Sequence, residues 1–241
     1  MASMQGGQLP ADANPSPINF SRVLQGVLFN SQLRDLTPFL LRKYQKKEQV
    51  TMDEMLLTVD QSYHQHFLGM FREYCESINL GFGIEIRQAD PFGKVYDLVP
   101  ILGLTYSGIL DEEENIVSKV DILIFILTLI FLEGNCVSEE KLRKQLARWE
   151  MLAHKENISF REPWRFIVED LVWTEYLSYR QVPNSDPARF EFLWGRRTLA
   201  ETSKMKILLH AAKLNSEDPK AYPELYEEAL DEERRAASAR E

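Results

Sequence analysis

The chain has 241 residues, enough to bury one large core or two small ones. Its 28 basic and 37 acidic side chains leave a formal charge of −9, which argues against an electrostatic footprint for nucleic acid or an anionic membrane. The two cysteines, Cys75 and Cys136, fall in different predicted helices, so neither a disulfide framework nor a paired-cysteine metal site is expected, which suits a reducing, intracellular compartment.

Residues 1–28 are rich in Gly, Pro, Ala, Ser and Asn, lack the basic and apolar regions of a signal peptide, and read as a flexible lead-in. Leu33, Leu36, Leu40, Leu41 and Tyr44 then recur at helical spacing. Pro38 would cost about 3 kcal/mol inside a helix, so the predicted helix restarts there, with Thr37 as its N-cap, and runs to about Lys47. Thr51-Met52-Asp53-Glu54 fits a capping box and opens a second helix through Met55, Leu56 and Val59. Phe67, Met70, Phe71, Tyr74 and Ile78 mark one face of a third, from about Gln61 to Asn79, which Gly81 ends. Phe82 to Arg87 alternates as a strand, Asp90-Pro91-Phe92-Gly93 is a type I turn, and Val95 to Val99 returns. Three helices and a hairpin are the winged-helix order.

Asp111 to Glu114 is an acidic linker. Beyond it, Val120 to Leu132 is apolar on every side, apart from Asp121, expected in the first turn, facing solvent or bonded to backbone donors. The run falls short of the about 20 residues needed to span a bilayer, and Gly134 sits where a left-handed cap belongs, so it reads as a covered core helix. Ser138 caps a helix carrying Leu142, Leu146 and Trp149, and Pro163 starts another through Phe166, Ile167, Asp170, Leu171 and Trp173. Tyr176 to Val182 and Arg189 to Trp194 alternate as strands around Pro183 to Pro187. The winged-helix order is thus repeated. Thr198-Leu199-Ala200-Glu201 is a further capping-box pattern, predicted to open a helix through Met205, Leu208, Leu209 and Leu214, and Pro223 to Arg240 is helical and densely charged. The expected fold is mainly α with small β-hairpins, an α+β class of tandem winged-helix domains. Its parts are a flexible segment (1–28), domain A (29–110), an acidic linker (111–119), domain B with a C-terminal helix (120–218) and a charged C-terminal helix or tail (219–241).

Several segments carry a resemblance. Phe39 to Tyr44, Val50 to Leu56, Phe82 to Glu85, Leu132 to Cys136, Tyr176 to Pro183, Phe190 to Gly195 and Glu201 to Lys206 are similar, in order and spacing, to the MAGE homology domain. The resemblance covers about Leu33 to Leu230 and implies a non-catalytic adaptor that binds a RING-type E3 ubiquitin ligase and modulates its activity or substrate choice. It also implies that Leu40 and Leu41 contribute to ligase binding. The chain departs from the family at Pro38, and at Trp194-Gly195-Arg196-Arg197, where the family has Trp-Gly-Pro-Arg. Glu201 to Lys206 also occurs in the member that belongs to an SMC5/6-type chromosome complex, so a structural or nucleic-acid-associated subunit is the alternative.

The residues by themselves offer no enzyme. His64 and His66, two apart on a helix, point to nearly opposite sides and cannot share a metal, and His154 and His210 are isolated. Cys136 lies just after a helix C-terminus, where the dipole disfavours a thiolate. No phosphate loop, nucleophile elbow or zinc-protease motif is present, and no cofactor or metal is expected. Both candidate recognition helices are net acidic, which argues against duplex DNA and leaves Arg196 and Arg197 as its best support. Trp164, Phe166, Trp173, Tyr176, Phe190, Phe192 and Trp194 read mostly as core, with one or two lining an inter-domain cleft for a substrate peptide. Of Leu40 and Leu41, spacing predicts that one packs inward and the other is partly exposed.

Overall fold

The structure, a computed structural model, describes residue 33 and residues 35–106, 119–155 and 163–239, without the side chains of residues 149–155. The lead-in at 1–28, the acidic run Asp111 to Glu114, the side chains of Trp149 and His154, and Arg161 and Glu162 lie outside the described residues.

The first unit runs α1 (Leu36–Gln45), β1 (Val50–Thr51), α2 (Met52–Thr58), a 3-10 segment (Gln61–His66), α3 (Phe67–Phe82), β2 (Ile84–Gln88) and β3 (Val95–Pro100). The second repeats the order: α4 (Lys119–Leu132), β4 (Val137–Ser138), α5 (Glu139–Lys155), α6 (Pro163–Arg165) continuing as a π-helix (Phe166–Leu171), then β5 (Leu177–Gln181) and β6 (Phe190–Trp194). Each unit has a three-stranded antiparallel sheet with its last strand in the middle, ordered β1-β3-β2 and β4-β6-β5. The fold is therefore a tandem winged helix, mainly α with small sheets. After it come α7 (Arg196–Glu201), α8 (Lys204–Asn215), a 3-10 turn (Pro219–Ala221) and α9 (Pro223–Ser238).

Local chemistry explains most boundaries. Thr51 and Glu54 form the capping box: Glu54 N–H donates to Thr51 Oγ1 (3.2 Å) and Thr51 N–H to the Glu54 carboxylate (2.9 Å). Asp90 holds the first wing by accepting from the N–H groups of Phe92, Lys94 and Val95. Ser138 Oγ accepts from Lys141 N–H at the start of α5. Three starts and stops differ from expectation. α1 begins at Leu36, so Pro38 is its third residue, inside the first turn where backbone N–H groups have no intrahelical acceptor anyway; Thr37 does not cap, and its hydroxyl pairs with Tyr74 Oη at 2.8 Å. The third helix splits into a 3-10 segment capped by Asp60 and an α-helix that continues through Gly81 to Gly83, whose φ of +61° closes it. Thr198 lies inside α7 with its hydroxyl donating to the Tyr176 carbonyl, and α8 is capped by Ser203 instead, which accepts from Lys206 N–H.

α4 is the centre of the molecule. It packs against α3 of the first unit, β6 of the second, and α8. Val120 and every residue from Ile122 to Phe131 are buried, because an apolar helix with no polar face requires cover on all sides. Its neighbourhood supplies partners for buried polar groups: Thr128 Oγ1 donates to the Ile124 carbonyl, and Trp194 Nε1 donates to the Leu127 carbonyl at 2.9 Å. Asp121 is in the first turn and half-buried. At 14 residues α4 is short of a bilayer span, and no helix of the described residues is long and apolar enough to cross a membrane.

Candidate partner-binding surfaces

α1 places Leu40 and Leu41 side by side, and both are buried, at 2% and 1% exposure. The expected split into one inward and one exposed leucine is not what the structure shows. The reason is that α1 is covered on more than one side: Leu33, Leu36, Leu40 and Leu41 join a single hydrophobic cluster with Met55, Phe67, Tyr74 and Ile78. Phe39 and Tyr44 are half-buried, and Lys43 reaches over the Phe39 ring to pair with Glu54 (2.8 Å) and Glu48 (3.3 Å). α1 thus turns Arg42 and Gln45, not its leucines, towards solvent.

Among the described residues, hollows lie where the chain crosses from the first unit and between α3 and α8. The seam lined by Tyr44, Phe82, Leu102, Leu104, Tyr106 and Val120 has a volume of about 10 Å³, room for about one water and not for a peptide. A wider, open cleft of about 410 Å³ lies between α3 and α8, where Leu80, Leu209 and Ala212 give an apolar floor and Glu76, Lys213 and Glu217 a charged rim. Leu209 is 49% exposed there, while Lys213 ties the helices together through Asn79 Oδ1 at 2.7 Å. Of the aromatic set, Phe166, Tyr176, Phe192 and Trp194 are buried and Trp164 and Phe190 half-buried. Trp173 is 85% exposed, outside both hollows. An α-helical period puts it in the core, but i→i+5 bonding over Phe166–Leu171 inserts an extra residue into the turn and rotates the residues beyond it.

A third site joins residues too far apart in the chain for any local pattern to connect them. The Glu201 carboxylate accepts from Thr105 N–H (2.8 Å), Thr105 Oγ1 (2.5 Å), Tyr176 Oη (2.7 Å) and Arg197 Nε (2.7 Å). Burial alone would raise its pKa, and these donors outweigh that and hold it below the ordinary value. Arg197 also donates to Thr105 Oγ1 and lies over the Tyr176 ring, with its guanidinium carbon 4.5 Å from the ring centre. Just beyond, at the start of α8, Lys204 pairs with Glu228 and Glu232 of α9. Thr105 and Glu201 are 96 residues apart, and Lys204 and Glu228 are 24 apart, so spacing in the sequence carries no signal for this junction.

Burial mutes Cys75 and His210. Burial pushes the Cys75 thiol up to about 12 and pulls His210 down to about 4, and His64 Nε2 is bonded to the Val59 carbonyl. Among the described residues no three His, Cys, Asp or Glu side chains are grouped to hold a metal. Arg196 and Arg197, the best argument for DNA, are both engaged with carboxylates, of Glu175 and Glu201.

Two winged helices packed about one apolar helix define the class of the protein. Residues 96–205 match the MAGE homology domain. The chain is 42% identical to human (Homo sapiens) melanoma-associated antigen 10 over 97% of its own length and 64% of that protein's. With human melanoma-associated antigen 4 the identity is 39%, over 95% of this chain and 72% of the relative. Among solved structures, a chain of the Nse1-Nse3-Nse4 complex is 29% identical, covering 83% of this chain and 97% of that one, with a TM-score of 0.40. The chain belongs to the MAGE family, and it spans less than two thirds of the length of antigen 10.

Proposed function

We propose that the protein is a non-catalytic, intracellular adaptor that binds a RING-type E3 ubiquitin ligase and modulates its activity or substrate choice. Membership of the MAGE family is the observation that carries this reading. The wing arginines, both paired with carboxylates, support a protein partner over DNA.

Ligase contact is assigned to Leu40 and Leu41, which requires α1 to shift in the complex, since both leucines are covered here. The substrate peptide is assigned to the α3–α8 cleft, whose apolar floor and mixed rim suit a segment with one apolar anchor beside a charge. Leu209→Arg, which places a cation over the floor, is expected to reduce ubiquitination of the substrate by at least about tenfold while leaving ligase co-purification unchanged. If no RING ligase co-purifies from cells, or if none changes activity on addition of the protein, the adaptor reading fails. A second reading, a subunit of an SMC5/6-type complex, rests on Glu201 to Lys206, and mass spectrometry of the same purification separates the two.

A further inference from the structure

The π-helical turn that follows α6 is closed by Val172 N–H, which donates to the Ile167 carbonyl five residues back. Such turns are rare and gather at functional sites, because the extra residue re-aims the side chains beyond it. Here Phe166, Ile167 and Leu171 are buried and Trp173 is left 85% exposed. A lone surface leucine needs no explanation, but an indole has the largest apolar surface to bury and dominates interfaces where it occurs.

Its surroundings select a cation. Asp170 is exposed and stands three residues before Trp173, on the same helix face, with Glu169 beside it. The helix ends at Trp173, so the negative end of its dipole falls there too. Arg165 and Arg196 are paired with Glu169 and Glu175, and in both pairs each side chain is more than half exposed, so these pairs are weak and exchange readily. Among the described residues no cation lies over the Trp173 ring. The same unit already uses this chemistry inside itself, where Arg143 stacks its guanidinium carbon 3.4 Å from the centre of the Trp164 ring. We propose that Trp173 docks an arginine of a basic segment of a partner protein. The guanidinium lies on the indole and its N–H groups reach the Asp170 carboxylate. The formal charge of −9 draws such a segment in, and the same carboxylates repel a phosphate-bearing partner. This surface is separate from α1 and from the α3–α8 cleft, so it stands whether or not the ligase and peptide assignments do.

Fluorescence anisotropy with labelled hexa-arginine, titrated with the full chain at low salt, tests this, with an uncharged hexapeptide of Gly, Ser and Leu alongside. Trp173→Ala removes the ring and leaves the charge of the chain unchanged, so attraction to the net charge alone survives it. Trp173→Ala is expected to weaken hexa-arginine binding about fivefold and Asp170→Asn about threefold, both with the wild-type melting temperature. Equal affinity in wild type and Trp173→Ala overturns the proposal, as does no binding of hexa-arginine at all. Early melting of Trp173→Ala would mean that the indole is packed in solution, which overturns it as well. Equally tight binding of the uncharged peptide would assign the face to an apolar partner. A wild-type dimer in light scattering that Trp173→Ala abolishes would assign it to a second copy of the chain, and either result sinks the arginine.

Discussion

His210 is 3% exposed in α8, and neither ring nitrogen reaches a hydrogen-bond partner among the described residues. Burial lowers its pKa from 6.5 to about 4; the nearby Leu80 backbone opposes that shift without attaining hydrogen-bond geometry, and the charge of Lys213 adds to it. A proton therefore binds the unfolded chain more tightly than the folded one, so the stability from keeping this ring neutral is complete above about pH 6.5. It is lost progressively as the pH falls to about 4, to a total of about 3 kcal/mol. His210→Phe keeps a ring and removes the proton site, so its urea-unfolding free energy is expected to be flatter between pH 6.5 and 5 than that of the wild type. Glu54 and Glu201, held below their ordinary 4.5, titrate at lower pH and do not confuse the comparison. Identical slopes would show that His210 is solvated in solution. Its burial is not legible in the sequence, where a lone histidine between Leu209 and Ala211 carries no spacing signal; only the packing of α8 across the first unit reveals it.

α1 is legible in the sequence as a helix, and its environment is not. Leucine spacing marks its apolar stripe, but a stripe does not report how many neighbours cover it, and here Leu33, α2 and α3 close both sides of the Leu40/Leu41 pair. Truncating either leucine is therefore expected to cost about 2–5 kcal/mol of folding stability, so Leu40→Ala and Leu41→Ala should both melt early. Binding is then compared below both melting points. A variant that keeps the wild-type melting temperature and loses the ligase would show that its leucine is free in solution, contrary to the packing seen here. Elsewhere the elements divide by whether their cause is local. The Thr51 capping box, the Asp90 turn, the Ser138 cap and the left-handed Gly134 (φ +81°) depend on neighbours a few residues away and are readable from them. The two-residue strands β1 and β4 are too short to alternate, and each exists only because β3 or β6 lies beside it. Trp173 escapes the α-helical period because that period cannot anticipate a π-helical turn.

For the whole molecule, the repeated element order is readable because each unit carries its own helix and strand signals. The packing of one unit on the other is not, since it depends on pairs such as Asn79 and Lys213, 134 residues apart. The apolar α4 is where the two meet, and it sets a condition on synthesis. Of its three partners, α3 precedes it in the chain, while β6 and α8 come some 58 and 72 residues later, counting from Leu132 to Phe190 and to Lys204. A ribosome that has finished α4 therefore releases a water-averse rod with only its α3 cover made and the rest not yet translated. A chain stopped after Glu201 is expected to remain in this state, with α4 uncovered along its α8 side, and to partition into the insoluble fraction of cells while the full chain stays in the soluble one. Soluble, monomeric product from that truncation would mean that α8 is dispensable cover. Until Lys204–Asn215 arrives, α4 has only part of its cover, so the nascent chain is expected to bind holding chaperones for the interval between the two helices.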